Sequence, residues 1–212
     1  MNKQKIVLLS VVSLLLLFVF AAIAYKTKQS QEAAMVAKKN EEVFIRDYST
    51  VIGNSEAKVT IVEFLDPACE TCRAFYPFIN EIMAEHEGKI NHVIRYAPFH
   101  PNSDYVVKLL EATKKQGKYI QTLEALFQYQ SQWASHHSPN LQVVWQIMSH
   151  VGLDIEQLKK DFEDPKLDLL IKQELADAKT LNVKKTPQYF VNGKILQQFG
   201  QKQLKELIES EL

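Results

Sequence analysis

Val59–Pro77, VTIVEFLDPACETCRAFYP, decides the fold. Its first seven residues, Val59–Leu65, form an apolar run rich in β-branched and aromatic side chains with Glu63 inside it, which predicts a buried strand. Asp66-Pro67 ends that strand, because proline cannot extend a central one. Cys69 and Cys72, the only cysteines of the chain, follow at once and precede a helix-length segment. The C-x-x-C therefore falls at the mouth of a helix, where unpaired N–H groups and the positive end of the macrodipole favour an anion. A thiolate is such an anion. Cys69 is expected to titrate below the free-thiol value of about 8.5, and the thiolate is the form that attacks in disulfide exchange.

Other uses of two cysteines compete with this one. A structural disulfide across so short a loop would constrain little of the unfolded chain. Structural zinc needs two further ligands, and the chain has no second C-x-x-C and no H-x-x-x-H pair. Copper held with a nearby histidine is a third use, but His86, His92, His100, His136, His137 and His150 are dispersed, none at metal-ligand spacing with the cysteines. His136-His137, between Ser135 and Ser138, reads as a polar loop. Gly-x-x-x-x-Gly-Lys is absent, so no phosphate loop is expected.

The chain has 212 residues, 46% hydrophobic and 24% charged, enough for one well-packed domain with appendages. Its 25 basic and 25 acidic side chains cancel, and without a basic surplus no nucleic-acid partner is expected. Residues 1–5 are short and cationic; residues 6–25 carry no charge, with Ser10 and Ser13 as the polar interruptions. At about 1.5 Å per residue that stretch matches a hydrocarbon core of roughly 30 Å, so it is read as a single transmembrane anchor. A cleaved signal peptide ending at Ala22-Ile23-Ala24 is the competing reading. Lysines flank both ends, so charge does not orient the segment. The amino terminus is placed in the cytoplasm because a C-x-x-C domain is best delivered to an oxidising compartment. Residues 26–41 form a polar spacer and residues 42–212 the globular domain.

Within the domain, Val43-Phe44-Ile45 is expected as a short edge strand and Ile52-Gly53-Asn54 as a turn. Arg73–Glu87 has helical spacing, with Pro77 as a kink and Gly88 as the stop. Ile90–Tyr96 alternates as a second strand, which completes a βαβ unit with parallel strands. About 103–180 is a helical insertion, with helices over 103–116, 118–131, 140–150, 154–162 and 166–180 separated by Gly117, Ser138-Pro139-Asn140, Gly152 and Pro165. Trp133 and Trp145 are expected in its packing. Gln188–Val191 and Lys194–Phe199 form a hairpin around Asn192-Gly193, and Gln201–Leu212 is a closing helix.

With these elements in order, the chain resembles the thioredoxin superfamily, and within it the DsbA-like thiol–disulfide oxidoreductases. The matching features are an apolar strand, a C-x-x-C opening a helix that contains a proline, a long helical insertion, then Thr186-Pro187 before an antiparallel hairpin and a final helix. The likeness covers roughly Glu42–Leu212. It implies an α/β thioredoxin fold with a helical insertion, preceded by the single transmembrane helix. It implies that Cys69 is the exposed nucleophile, Cys72 the resolving thiol, and Cys69–Cys72 a redox disulfide. Pro187 is similar to the family's cis-proline, and Thr186 before it to the residue whose backbone pairs with a bound peptide. Glu63, six positions before Cys69, matches the acidic residue that moves the resolving thiol's proton. Burial in an apolar strand should itself raise that carboxyl's pKa.

The sequence departs from the most oxidising members between its cysteines, where Glu70-Thr71 replaces a Pro-His dipeptide. A carboxylate beside Cys69 opposes its ionisation, so a less acidic thiol and a weaker oxidant are expected. Glu70 and Thr71 are also expected to meet substrate. The resemblance thus implies an enzyme of exported, cysteine-containing proteins, working with a membrane or periplasmic redox partner, without cofactor or metal. It would be tethered to a bacterial-type inner membrane and face the periplasm or the cell exterior. The alternative is a thioredoxin-fold chaperone or copper metallochaperone without redox turnover.

Overall fold

The computed structural model describes residues 3–39, 41–54, 56–134 and 139–212. The expected polar loop at His136-His137 lies outside them, as does Ser138 of the expected turn. The chain divides into two compact units, Met1–Glu41 and Glu42–Leu212.

The first unit is one helix, α1 (Lys3–Lys39), of 37 residues. At about 1.5 Å per residue it is roughly 55 Å long. The expected spacer is therefore helical almost throughout, in keeping with its Lys, Gln, Glu and Ala content. Within it Val12–Glu32 is long and apolar enough to cross a membrane, with a mean hydropathy of 1.4.

The short helix α2 (Glu41–Phe44) runs across the boundary into the second unit, where β1 (Thr50–Gly53) follows. Two expectations fail here. Val43 and Phe44 form no edge strand: Phe44 turns inward and its ring meets Phe190 edge-on at 5.0 Å, so a side chain rather than strand pairing ties the segment down. Ile52 and Gly53 are not a turn but belong to β1, an edge strand of the sheet. Gly53 has φ +101°, and a Cβ there would lie 2.8 Å from the Ile90 carbonyl oxygen, so close backbone approach requires the glycine.

β2 (Val59–Leu65), α3 (Glu70–Glu85) and β3 (Ile90–Tyr96) form the βαβ unit, with β2 and β3 parallel from Val59↔Ile90 to Leu65↔Tyr96. α3 opens three residues earlier than expected because Cys69 caps it. Every residue of β3 is buried, so both faces of this strand are covered, as in a parallel pair. The insertion comprises α4 (Ser103–Ala112), a 3-10 turn over Thr113–Gln116, α5 (Tyr119–Gln128), α6 (Gln130–Trp133), α7 (Leu141–His150), α8 (Ile155–Phe162) and α9 (Pro165–Thr180). The one long helix expected over 118–131 breaks at Tyr129. Trp133 is fully buried and its indole N–H donates to the Leu126 carbonyl at 2.7 Å, which locks that corner. Trp145 donates to the Tyr105 hydroxyl at 3.0 Å.

β4 (Gln188–Val191) and β5 (Lys194–Ile195) make the hairpin, and α10 (Gln201–Glu209) closes the chain. Asn192 and Gly193 have φ of 47° and 76°, as a tight turn with both central residues left-handed requires. β5 is shorter than expected because the chain leaves the sheet after Leu196 and carries Phe199 to within 4.7 Å of the Phe75 ring. The sheet order is β1-β3-β2-β4-β5, with β1, β4 and β5 antiparallel to their neighbours. This is a thioredoxin-type mixed sheet. One core cluster joins Val59, Ile61, Ile79, Ile82, Tyr189, Leu204 and Ile208; a second joins Leu65, Cys69, Cys72 and Ile94 to the insertion helices.

β3 and α9 are held together by charge. Arg95, with none of its surface exposed, donates from Nε to Glu174 at 2.9 Å, from an Nη to Asp177 at 2.7 Å and from the other Nη to the Val43 carbonyl at 2.5 Å. Arg46 reaches the same Asp177 at 2.7 Å, which fastens the start of the domain to its last insertion helix. Removing one partner of such a cluster leaves a buried charge uncompensated. Arg95→Met is therefore expected to destabilise the domain by about 3–5 kcal/mol. Urea unfolding reads this as a lower midpoint at constant slope. A loss below about 1 kcal/mol, the scale of an exposed pair, would refute the clamp.

Candidate active site

The site lies where β2 hands over to α3. Asp66 is fully buried at that turn, and its carboxylate accepts from the Ala68 N–H at 2.9 Å, the Phe99 N–H at 2.8 Å, the His100 N–H at 3.0 Å and the Ser103 hydroxyl. His100 Nδ1 is a further 2.7 Å contact. The Asp66 backbone carbonyl accepts the Cys69 N–H at 3.0 Å. One residue thus joins the segment before the cysteines to the loop between β3 and α4. From the other side Gln130, on α6, donates to the carbonyls of Pro67 at 2.8 Å and Cys69 at 3.0 Å.

Cys69 is the N-cap of α3, at φ −77° and ψ 116°, and its Sγ accepts the Cys72 N–H at 3.4 Å. Sγ also lies 3.2 Å from the Thr186 carbonyl oxygen, and the Thr186–Pro187 peptide is cis. Both cysteines are free thiols. Cys69 keeps 6% of its surface and Cys72 none, so the nucleophile expected to be exposed is open by one narrow face. Glu70 and Thr71 are exposed at the rim, Thr186 is half-buried and Pro187 buried.

The two sulfurs are driven apart in acidity. Cys69 is pulled from 9.0 to about 6, first by a hydrogen bond from the Cys72 thiol and then by the Thr186 side chain and the N–H groups of Cys72 and Thr71, against the opposing effect of burial. The Thr186 carbonyl also works against ionisation, since it can only accept. Glu70 does not prevent the shift. Cys72 is pushed well above 9.0, by burial, by its bond to Cys69 and by the charges of Glu63 and Cys69. At neutral pH one sulfur is a thiolate and its neighbour a proton donor.

Glu63, 2% exposed, sits on β2 opposite Tyr189 of β4 and accepts its hydroxyl at 3.0 Å. His92 Nε2 approaches the other carboxylate oxygen at 2.9 Å, and neither ring nitrogen makes an aligned hydrogen bond among the described residues. The structure thus gathers Cys69, Cys72, Glu63, Thr186 and Pro187 around one helix terminus. Sequence reasoning missed Asp66 as an anchor, His92 and Tyr189 as companions of Glu63, and Gln130 altogether. Asp66 carried a signal as the polar residue ending an apolar strand, whereas Gln130 looks like any polar residue on a helix.

The thioredoxin family matches residues 46–210, more than three-quarters of the chain. The chain belongs to that family. A thioredoxin-like oxidoreductase from Silicibacter pomeroyi DSS-3 superposes with a TM-score of 0.69 at 29% identity, over 81% of this chain and 96% of the other. Oxidised BdbD from Bacillus subtilis, at 22% identity and TM-score 0.67 over 77% and 92% of the two chains, shares the fold. Among curated proteins, the Na(+)/H(+) antiporter NhaA of Herminiimonas arsenicoxydans is 26% identical over 144 residues, which is 68% of this chain and 22% of the antiporter. The chain spans about a fifth of the length of the curated relatives it matches.

The acidity of Cys69 has a measurable sign. Its folded pKa lies below its unfolded value of about 8.5, so the stability it contributes to the dithiol form is complete above that pH. That contribution is lost as pH falls through about 6. Thiolate absorbance should titrate with a midpoint near 6, and Cys69→Ser should remove both this signal and the rise in stability between the two pH values. A midpoint near that of a free thiol would contradict the geometry.

Proposed function

We propose that the chain is a thiol–disulfide oxidoreductase acting on cysteine-containing exported proteins through Cys69 and Cys72. The observation that carries this reading is the acidic, partly open Cys69 beside the protonated, enclosed Cys72. In the reducing direction the Cys69 thiolate attacks one sulfur of a substrate disulfide, and the other sulfur leaves as a thiolate. Cys72 then loses its proton and attacks Cys69 Sγ, which releases the second substrate thiolate and leaves the Cys69–Cys72 disulfide. The oxidising direction is the reverse. Glu63 takes the Cys72 proton, and Thr186, Pro187, Glu70 and Thr71 line the place where substrate lies. A membrane or periplasmic redox partner closes the cycle, giving two electrons to the Cys69–Cys72 disulfide after substrate reduction or taking two from the dithiol after substrate oxidation.

α1 anchors this domain to a bacterial-type inner membrane, with the amino terminus in the cytoplasm and the domain on the periplasmic or exterior side. Its apolar stretch supports that reading. Ion exchange is a property of the antiporters and is not carried over. With Glu70-Thr71 between the cysteines, the reduction potential is expected between about −270 and −120 mV.

Cys69→Ser should abolish insulin reduction and refolding activity, while Cys72→Ser should accumulate covalent complexes with client proteins. Equal activity of the two variants would defeat the assignment. Glu63→Gln should slow turnover by about 10² at neutral pH, the scale of one proton-transfer group, and leave alkylation of Cys69 unchanged. Turnover at the unaltered rate would remove Glu63 from the mechanism.

A further inference from the structure

Gln130 is a polar side chain from the insertion that reaches into the turn carrying the nucleophile. Only 1% of it is exposed, and its Nε2 donates to the Pro67 carbonyl at 2.8 Å and to the Cys69 carbonyl at 3.0 Å. The orientation of the amide is set by its partners: both are carbonyl oxygens, so the NH2 group and not Oε1 must face them. Oε1 has no partner among the described residues. Retaining a buried amide with half its capacity unused is unfavourable unless the donating half does something that an apolar residue cannot.

The two carbonyls identify what that is. One belongs to the N-cap residue itself and the other to Pro67, two residues before it, and a carbonyl oxygen near a thiolate repels it. The Cys69 carbonyl has an acceptor role in α3, towards the Arg73 N–H at 3.2 Å, whereas among the described residues Gln130 is the hydrogen-bond partner of the Pro67 carbonyl. Gln130 itself is held firmly. Its carbonyl accepts the Ala134 N–H at 2.8 Å, and Trp133 beside it is fully buried.

We propose that Gln130 is a positioning residue for the nucleophile: by binding the Pro67 and Cys69 carbonyls it turns their dipoles away from Sγ and keeps the sulfur aimed into the N–H groups of α3. The helical insertion then acts on the chemistry and not only on the packing. The titratable neighbours of Cys69 are Cys72 and Glu70 on its own helix and Glu63 and Tyr189 on the sheet; Gln130 bonds to none of them. The inference rests on the reading of Cys69 as an ionised nucleophile.

The test is the thiolate titration of the full chain in the dithiol form, with Gln130→Met and Gln130→Glu set beside the unaltered protein. Met keeps the shape and removes both donors; Glu keeps the length but adds a charge that opposes the thiolate by itself, so Met is the deciding variant. Both are expected to raise the Cys69 midpoint by about one unit, a tenfold fall in thiolate at a pH below it. A merely structural role would lower the unfolding midpoint and leave the titration in place, and that result overturns the inference. Should both variants fail to fold, the unaltered protein still decides. Its Gln130 side-chain amide resonances must move with the Cys69 titration, and resonances that stay fixed overturn the proposal. If the unaltered Cys69 titrates as an ordinary thiol, the proposed function falls; if it is acidic and the variants match it, only the role of Gln130 does.

Discussion

The start of a helix leaves N–H groups without backbone acceptors, and in α3 one of the acceptors is a sulfur. Most of the domain can be read as what is needed to put it there. β2 must stop one turn earlier, which Asp66-Pro67 accomplishes. The turn must be rigid, which the buried Asp66 carboxylate secures through donors from the β3–α4 loop. The sulfur must meet the loop that carries the cis peptide, and β4 delivers Thr186 and Pro187 by pairing with β2 from Ile61 to Phe64. A charge-assisted hydrogen bond is about twice as strong as a neutral one, so each step that brings a donor to Sγ favours the ionised form.

The difference between the two thiols follows from three residues of helix. Cys69 lies at the cap with donors in front of it, and Cys72 one turn deeper with the sheet behind it. Burial acts on both in the same direction, against the charge. At Cys69 the donors prevail, and at Cys72 nothing opposes burial strongly enough while the Glu63 carboxylate adds to it. The proposed reaction, which begins on one sulfur and finishes on the other, needs this order. Glu63, the group proposed to take the second proton, is enclosed, hydrogen-bonded by Tyr189 and close to His92.

How far the sequence was legible divides along the range of the interactions. β2, β3 and the helix between them were readable because strand and helix periodicities are local, and the C-x-x-C could be placed at a helix start from its neighbours alone. Glu63 could be singled out because a carboxylate inside an apolar run is unusual wherever it occurs. Its partner Tyr189 is 126 residues away, and Gln130 is 61 residues from Cys69; no local pattern encodes either distance. The errors have the same origin. Val43–Ile45 has strand composition, but Phe44 gains more by packing on Phe190. Gly53 looked like a turn residue because its reason for being glycine lies on β3, at Ile90. Lys194–Phe199 lost its last residues to a ring contact with α3.

The insertion is the part whose purpose a strand-and-helix reading conveys least. It closes the core around both cysteines, since Cys69 and Cys72 belong to the same apolar cluster as Leu109, Leu123, Leu126 and Trp133. That enclosure by itself would suppress ionisation of Cys69, because removing a thiolate from water disfavours it. An insertion that only covered the site would therefore weaken the nucleophile it shelters. Clamping Arg95 between Glu174 and Asp177 fixes α9 against the sheet, the Trp133 indole fixes the corner at Tyr129, and Gln130 emerges from that corner as a donor directed at the turn. The same block of helices that lowers the local dielectric also supplies polar compensation within it, which is how an acidic thiol can persist with so little of its surface in contact with solvent.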